Sequence, residues 1–510
     1  MQIKRLFKHL SNNHRSAGHL MGQCVTFVIG IAASVALDGQ QPLQLNIQWD
    51  RTVVVSRSTP TLQVVVNPPL RPGQPLSAAS YKAVKELGAD YVRYVPWLPY
   101  PRLAVAELEP PTSGKTSWDF SLIDPMTIDF LNATEGHPTV MNFSTMPAWL
   151  FKTDKPVTYP ADPDQPVWNY TQGAELRDPT GKEMADYYER LVNWYVNGGF
   201  TDEDGVRHES GYHYKFPVWE VLNEVDSEHS MTPENYTKRY DAIVEAIHRV
   251  SPETEFMGLA ISSPNDHPEF FEYFLNSANH KPGIPLHYIS YHFYASPAPS
   301  QTIADWQYTF FDQANGFLNS VRYIESIRKR LSPGTKTDLD ELGVILPTDN
   351  TAADKVPPPA GYYNLAGSLY AYLFIQLSRL QIDIIGESQL VGYPTQYPSV
   401  SMMDWTTNKP NPRFWVLKLI KDNFHPGDTL VNSDLNNPDV AAQAYITPSG
   451  HKLLLANKRN HAIEVKLSDA AKSVALTVDA STGDEPAHSV KPANGQMKLQ
   501  PFAVTVVSWK

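Results

Sequence analysis

The chain has 510 residues and a formal net charge of −12, and no basic cluster lies beyond its first residues, which excludes nucleic acid or an anionic membrane surface as the partner of the folded part. A composition of 42% hydrophobic and 19% charged residues is that of a globular protein with room for one large core and a smaller accessory domain. The single cysteine, Cys24, excludes intrachain disulfides and cysteine-ligated zinc.

In chain order, Lys4, Arg5, Lys8 and Arg15 precede an apolar run from Cys24 to Leu37. The run is short for a membrane span, which takes ~20 residues, and suits the apolar region of an export signal. Ser34-Val35-Ala36 offers a small-x-small cleavage site. Residues 1–40 are thus expected to be a signal peptide, with an uncleaved N-terminal membrane anchor as the alternative, and the mature chain to be secreted or periplasmic.

Residues 41–58 read as two short strands, Leu43–Trp49 and Arg51–Val55, which precede any helical pattern and are expected to join a sheet elsewhere. From 59 to 424 strands alternate with helices, the βαβ signature of a parallel sheet. The expected strands are Leu62–Val66, Tyr91–Val95, Thr139–Phe143, Phe216–Leu222, Glu255–Leu259, Tyr288–Phe293, Thr337–Leu339 and Ile382–Ile385. Helical periodicity falls at Ser77–Leu87, Leu122–Asn132, Lys182–Val196, Pro233–Val250, Asn315–Arg330 and Tyr362–Arg379. Eight strands with intervening helices predict a (β/α)8 barrel; a doubly wound sheet would place a glycine-rich phosphate turn after its first strand, and none is present. Beyond residue 425 the pattern becomes short strands separated by Pro448-Ser-Gly450 and Asn494-Gly495, which predicts an accessory all-β sandwich over 425–510.

Two carboxylates sit where a barrel presents its chemistry, at the C-terminal ends of strands. The fourth strand, Phe216–Leu222, runs into Asn223-Glu224. The seventh ends in Glu341 followed by Gly343. Cleavage of a glycosidic bond with retention needs such a pair, one group as protonated acid and the other as nucleophile, ~5–5.5 Å apart. On the sixth strand, alternation puts His292 and Tyr294 on one face, from which a tyrosine hydroxyl can reach a carboxylate. Arg93 on the second strand can turn inward, where a cation favours the ionised form of a neighbouring carboxylate. Asp338, Asp340 and Glu387 compete with Glu341; Asp340 has the opposite parity and is expected in the packing behind the strand or in a salt bridge. Glu228-His229, just past the acid, is a candidate for the cleft wall, with a solvated loop as the alternative. Asp202-Glu-Asp-Gly205 lacks EF-hand spacing and reads as a turn, and His208 and His213 have no third ligand for zinc. Neither a metal nor an organic cofactor is expected. Of four Asn-x-Ser/Thr sequons, the one at Asn142 falls within an expected inner strand, where a glycan has no space.

Asn-Glu closing strand four, His-x-Tyr on strand six and Glu closing strand seven resemble the pattern of clan A glycoside hydrolases. Trp118-Asp-Phe-Ser-Leu-Ile-Asp124, Pro138–Pro147 and Trp219–Glu224 look more narrowly like family 39, which includes β-xylosidases and α-L-iduronidase. The resemblance implies Glu224 as acid/base, Glu341 as nucleophile and Asn223 as a donor to the sugar 2-hydroxyl. The chain departs from the family at Val225-Asp226, where a proline is usual, and at Pro96-Trp97, where many members place a histidine. Its last barrel strand also lacks the usual tryptophan, a role Trp405 could take. The expected substrate is a glycoside or an oligo- or polysaccharide of a plant, microbial or matrix glycan. Competing readings are a non-catalytic carbohydrate-binding barrel, and an endo-glycanase or glucuronidase of another clan A family.

Overall fold

The computed structural model describes residues 41–170, 174–347, 356–468 and 472–509; the expected leader lies outside them. Eight parallel strands close into a barrel: β1 (Thr59–Val66), β2 (Val92–Pro96), β3 (Thr139–Met141), β4 (Val218–Val221), β5 (Glu255–Ile261), β6 (Tyr288–Ala295), β7 (Lys336–Val344) and β8 (Ile384–Glu387). A helix follows each: α1 (Pro75–Leu87), α2 (Asp124–Ala133), α3 (Lys182–Val196), α4 (Pro233–Val250), α5 (Glu269–Phe274), α6 (Ile303–Leu331), α7 (Tyr362–Leu380) and α8 (Pro412–Lys421). Helix α1 ends at Gly88, whose left-handed backbone (φ 56°) closes the helix without the Cβ penalty other residues would meet.

The period of two along each strand builds both sides of the barrel. On β4, Trp219 and Val221 join the outer core, Trp219 lying against Phe143 and Tyr188. Val218 and Glu220 turn inward. Val218 belongs to an apolar plug with Val140, Met257, Tyr288 and Ile384. One register position further along, the lumen becomes polar: Arg93 holds Glu220, and Ser290 and Asn142 donate to the same carboxyl. Asn142 is fully buried, as its inner-strand position predicts. The barrel is therefore a packed core with a charged upper layer.

The C-terminal region forms two sheets. A seven-stranded sheet runs His488–Val490, Ser473–Val478, Val504–Trp509, Gly450–Asn457, Val440–Thr447, Thr429–Asp434 and Asn46–Val55, and a three-stranded sheet joins Leu43–Gln44, Ile463–Lys466 and Gln496–Leu499. Asn46–Val55 pairs antiparallel with Thr429–Asp434, so residues from both ends of the described chain share one sheet. Leu453 and Leu455 face the sandwich core with Val465 and Met497. Leu454 points the other way, into the large core that includes α7 and α8. The central strands of this sheet, such as Gly450–Asn457, are buried on both faces, which fixes their register.

The ends of β4 and β5 are irregular in a matched way. Leu222 and Glu224 on one side, and Leu259 and Ala260 on the other, have positive φ (65°, 42°, 90° and 45°), a conformation non-glycine residues adopt only where surroundings enforce it. The Tyr236 hydroxyl on α4 is that enforcement: it donates to the Val221 carbonyl (3.0 Å) and accepts from the Leu259 N–H (2.7 Å). Glu224 N–H then bonds the Ala260 carbonyl (2.9 Å). A Cβ at Gly258 would come 2.5 Å from the Phe274 ring and 3.0 Å from the Tyr236 oxygen. Gly258→Ala is expected to cost ~1–3 kcal/mol by overpacking, measured as a lowered thermal midpoint, and to reduce activity further by shifting Tyr236.

Candidate active site

Arg93 is buried at 1% exposure and each of its three guanidinium nitrogens has a partner. Nε donates to Glu220 (2.5 Å) and lies 3.0 Å from Asp340; Nη1 donates to Gln63 and to Glu341 (both 2.7 Å); Nη2 donates to Asn223 (2.7 Å). Burial alone would lower its pKa, but Asp340, Glu220 and Glu341 more than offset this and keep the guanidinium charged. Burial pushes Glu220 up to about 7, against the opposing pull of Arg93.

Glu341 is held on both oxygens, Oε1 by Arg93 and Oε2 by the Tyr294 hydroxyl at 2.7 Å. Tyr294 also contacts Ser388 Oγ at 2.5 Å. His292 lies between the two glutamates, with Nδ1 3.2 Å from Glu224 Oε1 and 3.5 Å from Glu341 Oε2, and with Nε2 3.4 Å from Asp340. Burial would lower its pKa, yet Glu341 and Asp340 raise it well above the ordinary imidazole range. Carboxylate oxygens of Glu224 and Glu341 and a nitrogen of His292 all lie within 4.8 Å of one another. Such a trio has the donor types of a divalent-metal site, and with Nδ1 3.2 and 3.5 Å from the two carboxylates its geometry equally fits a hydrogen-bonding bridge between them.

Glu224 is more open, its side chain 25% exposed. Burial raises its pKa, hydrogen bonding and charge from His292 oppose this, and Glu341 adds to the rise. The turn after it is tied down by Asp226, which accepts from Ser262 N, Ser262 Oγ and Ser263 N at the end of β5. Ser227 N and Glu228 N both bond the Glu224 carbonyl (2.9 and 2.7 Å), a tight turn that brings Glu228 back beside Asn223. Val225, where the family pattern has proline, is fully buried beneath it. Glu228 Oε1 accepts from Trp97 Nε1 (2.6 Å) and Asn223 Nδ2 (3.3 Å). Burial, with the charge of Glu224, raises Glu228 well above the carboxylate range. Trp97 packs on Tyr393 (4.4 Å) and Trp168 (5.6 Å).

The remaining expected residues have the following surroundings. His229 is 3% exposed, with neither ring nitrogen partnered among the described residues, and burial together with Arg239 lowers it to about 3; it lies under the loop, away from open solvent. Trp405 stacks on Tyr397 at 4.2 Å. Glu387 pairs with Arg413. Asp340 departs from the simple parity reading: a register shift between Leu339 and Leu342 lets Asp340 and Glu341 both face the interior, and Asp340 enters the salt bridge with Arg93 in place of the packing behind the strand. Asp202 accepts from Asp204 N and Val206 N, the expected turn. Gln63, Ser388 and Tyr393 carried no signal of their own in sequence; only the bulge and the lumen geometry gather them with Asp340.

The chain matches the profile of glycosyl hydrolases family 39 over residues 34–333, more than half of its length. It belongs to that family. It is therefore a glycoside hydrolase, a glycosidase built on a (β/α)8 barrel with an all-β accessory domain. Residues 438–507 match the D-apionate lactonase, C-terminal immunoglobulin-like domain. No curated protein sequence matches the chain. Among solved structures, the GH51 arabinofuranosidase from Xanthomonas axonopodis pv. citri has 13% identity and a TM-score of 0.62, with 92% of this chain and 100% of that one covered. A family 51 alpha-L-arabinofuranosidase from Bifidobacterium longum has 14% identity and a TM-score of 0.59, at the same 92% and 100% coverage. A GH30 endoxylanase from Clostridium papyrosolvens C71 has 13% identity and a TM-score of 0.54, again over 92% and 100%. At these identities the likeness is one of fold.

In this family 39 hydrolase, Arg93→Met leaves Glu220, Asp340 and Glu341 without their shared cation. The expected cost is ~3–5 kcal/mol, the usual consequence of stranding buried charge, read from denaturant unfolding.

Proposed function

We propose that Glu341 is the nucleophile and Glu224 the acid/base of a retaining double displacement on a glycan. The observation that carries this reading is the approach of their carboxylate oxygens to within 4.8 Å. Retaining enzymes hold the pair ~5–5.5 Å apart, and inverting ones ~6.5–9.5 Å to admit a water. An idle carbohydrate-binding barrel would have no need of that spacing.

Glu341 attacks the anomeric carbon, oriented on one oxygen by Arg93 and on the other by Tyr294. Glu224, its pKa raised by burial, gives its proton to the leaving oxygen. The carboxylate formed then takes a proton from water, which attacks the glycosyl ester from the vacated side. The bond to Glu341 breaks, Glu224 is reprotonated, and the sugar leaves with its anomeric configuration kept. Asn223, oriented through Arg93, donates to the sugar 2-hydroxyl. The arabinofuranosidases and endoxylanase that share the fold direct attention to glycosides of plant or microbial glycans. The basic residues before Cys24–Leu37 support export of the enzyme; among the described residues, no helix is long and apolar enough to cross a membrane.

Glu224→Gln and Glu341→Gln are each expected to lower kcat by ~10²–10⁴-fold or more with unchanged thermal midpoints. Azide should restore turnover differently in the two: a glycosyl azide of retained configuration from the Glu224 variant and of inverted configuration from the Glu341 variant. Near-normal activity in either variant refutes the assignment. The raised Glu224 pKa has a definite sign. The acid stays protonated above the ordinary carboxylate range, so kcat/KM falls on the alkaline side as Glu224 ionises, and that fall should vanish for a dinitrophenyl leaving group that needs no proton.

A further inference from the structure

We infer that Glu228 is a specificity-determining residue that hydrogen-bonds a hydroxyl of the sugar held between Glu224 and Glu341, in a site built for neutral glycosides and closed to uronides. The inference rests on the location of the reacting sugar proposed above and adds its chemical class.

Two donors, Trp97 Nε1 and Asn223 Nδ2, converge on the same oxygen of Glu228, Oε1. The other oxygen, Oε2, is buried and has no hydrogen-bond partner among the described residues. A buried carboxyl oxygen is costly to leave unpaired, and this one is fixed in place by its twin. Its holder Asn223 is itself oriented by Arg93, so Glu228 is tied through hydrogen bonds to the group that positions Glu341. Trp97, which holds it from the other side, forms a wall with Tyr393 and Trp168. Apolar ring faces beside a polar acceptor match a sugar, which presents C–H faces and hydroxyl edges.

Charge narrows the class. The cations within ion-pairing distance of Glu224 and Glu341 are Arg93 and His292, and no cation reaches Glu228 among the described residues. Nε, Nη1 and Nη2 of Arg93 are all occupied, and His292 is enclosed by Glu224, Glu341 and Asp340. A hydroxyl finds a ready partner in Glu228 Oε2. Among the described residues a sugar carboxylate finds no free cation beside these groups and enters a field set by Glu341 and Glu224. A proton on Glu228 does not reverse this, because the carboxylate would still lie beside Glu341 uncompensated. Rejection by an unpaired charge is an effective route to specificity.

Calorimetric titration of the full chain at pH 7 with methyl xyloside, arabinoside, glucoside and galactoside, and with methyl glucuronide and iduronide, tests this without relying on turnover. At least one neutral glycoside is expected to bind tenfold or more tightly than either uronide. Glu228→Gln and Glu228→Asp, checked for an unchanged thermal midpoint, should each weaken that binding about tenfold, the scale of one lost hydrogen bond. Uronide binding as tight as the best neutral sugar, binding of no neutral glycoside, or unaltered affinity in a folded Glu228 variant each overturns it. An active enzyme that binds uronides refutes this inference alone, whereas neutral-sugar binding by a protein that hydrolyses nothing refutes only the catalytic proposal.

Discussion

The upper half of this barrel depends on one buried guanidinium. Arg93 enters the lumen from β2 and makes contacts to side chains from β1, β4, the end of β4 and β7: Gln63, Glu220, Asn223, Asp340 and Glu341. A lysine could supply the charge, but not the planar fork that serves several acceptors in different directions at once. Removing such a charge from water is expensive, and only a nearly complete set of partners makes it tolerable. The lumen carries acids in excess of its cations, and burial, with the nearby charge of Asp340 added to it, raises the pKa of Glu220 and Asp338. His292 is the second cation of the set, and it lies where Glu224, Glu341 and Asp340 approach one another.

From that layer upward, backbone irregularity does the aiming. Strict alternation could not turn Asp340 and Glu341 both inward, nor place Asn223 and Glu224 both at the mouth. A register shift in β7 accomplishes the first. Positive φ at Leu222 and Glu224, held by the Tyr236 hydroxyl, accomplishes the second. Bulges and strained residues recur at functional sites because they re-aim side chains that a regular strand would misdirect. The helices outside are thus part of the site, since α4 supplies the hydroxyl that fixes the strand end.

The barrel was legible in sequence because its signal is periodic: eight apolar strands, with helical periodicity in six of the intervening stretches. What escaped was aperiodic or short. Helix α5, Glu269–Phe274, has six residues, too few for a helical period to show. The first turns of α6 have a capping box at Thr302 and Asp305, yet Ile303–Ala314 mixes buried and exposed aromatics in a way that blurs the apolar face. Glu224 and Glu341 stood out because each follows a strand and precedes a polar turn. Asp340 competes with Glu341 in sequence, but its inward direction is hidden there, because a bulge leaves no mark in the pattern of residue types. Glu228 is a cleft candidate in sequence, but its hydrogen-bond partners depend on a turn closing onto the Glu224 carbonyl, a three-dimensional event that the run of polar residues does not announce. His229 shows the converse: a histidine beside the acid looks like part of the cleft, whereas the same turn that exposes its neighbour buries it.

The central claim is that this layered charge network serves one covalent event, the bonding of a sugar to Glu341. An activated 2-deoxy-2-fluoro glycoside slows the second displacement more than the first and so traps the glycosyl-enzyme. Mass spectrometry of the intact chain followed by peptide mapping is predicted to find one added sugar, on the peptide that contains Glu341. Attachment to Glu224 or Glu228, or hydrolysis of the unfluorinated glycoside with inversion and no trapped adduct, would contradict the account.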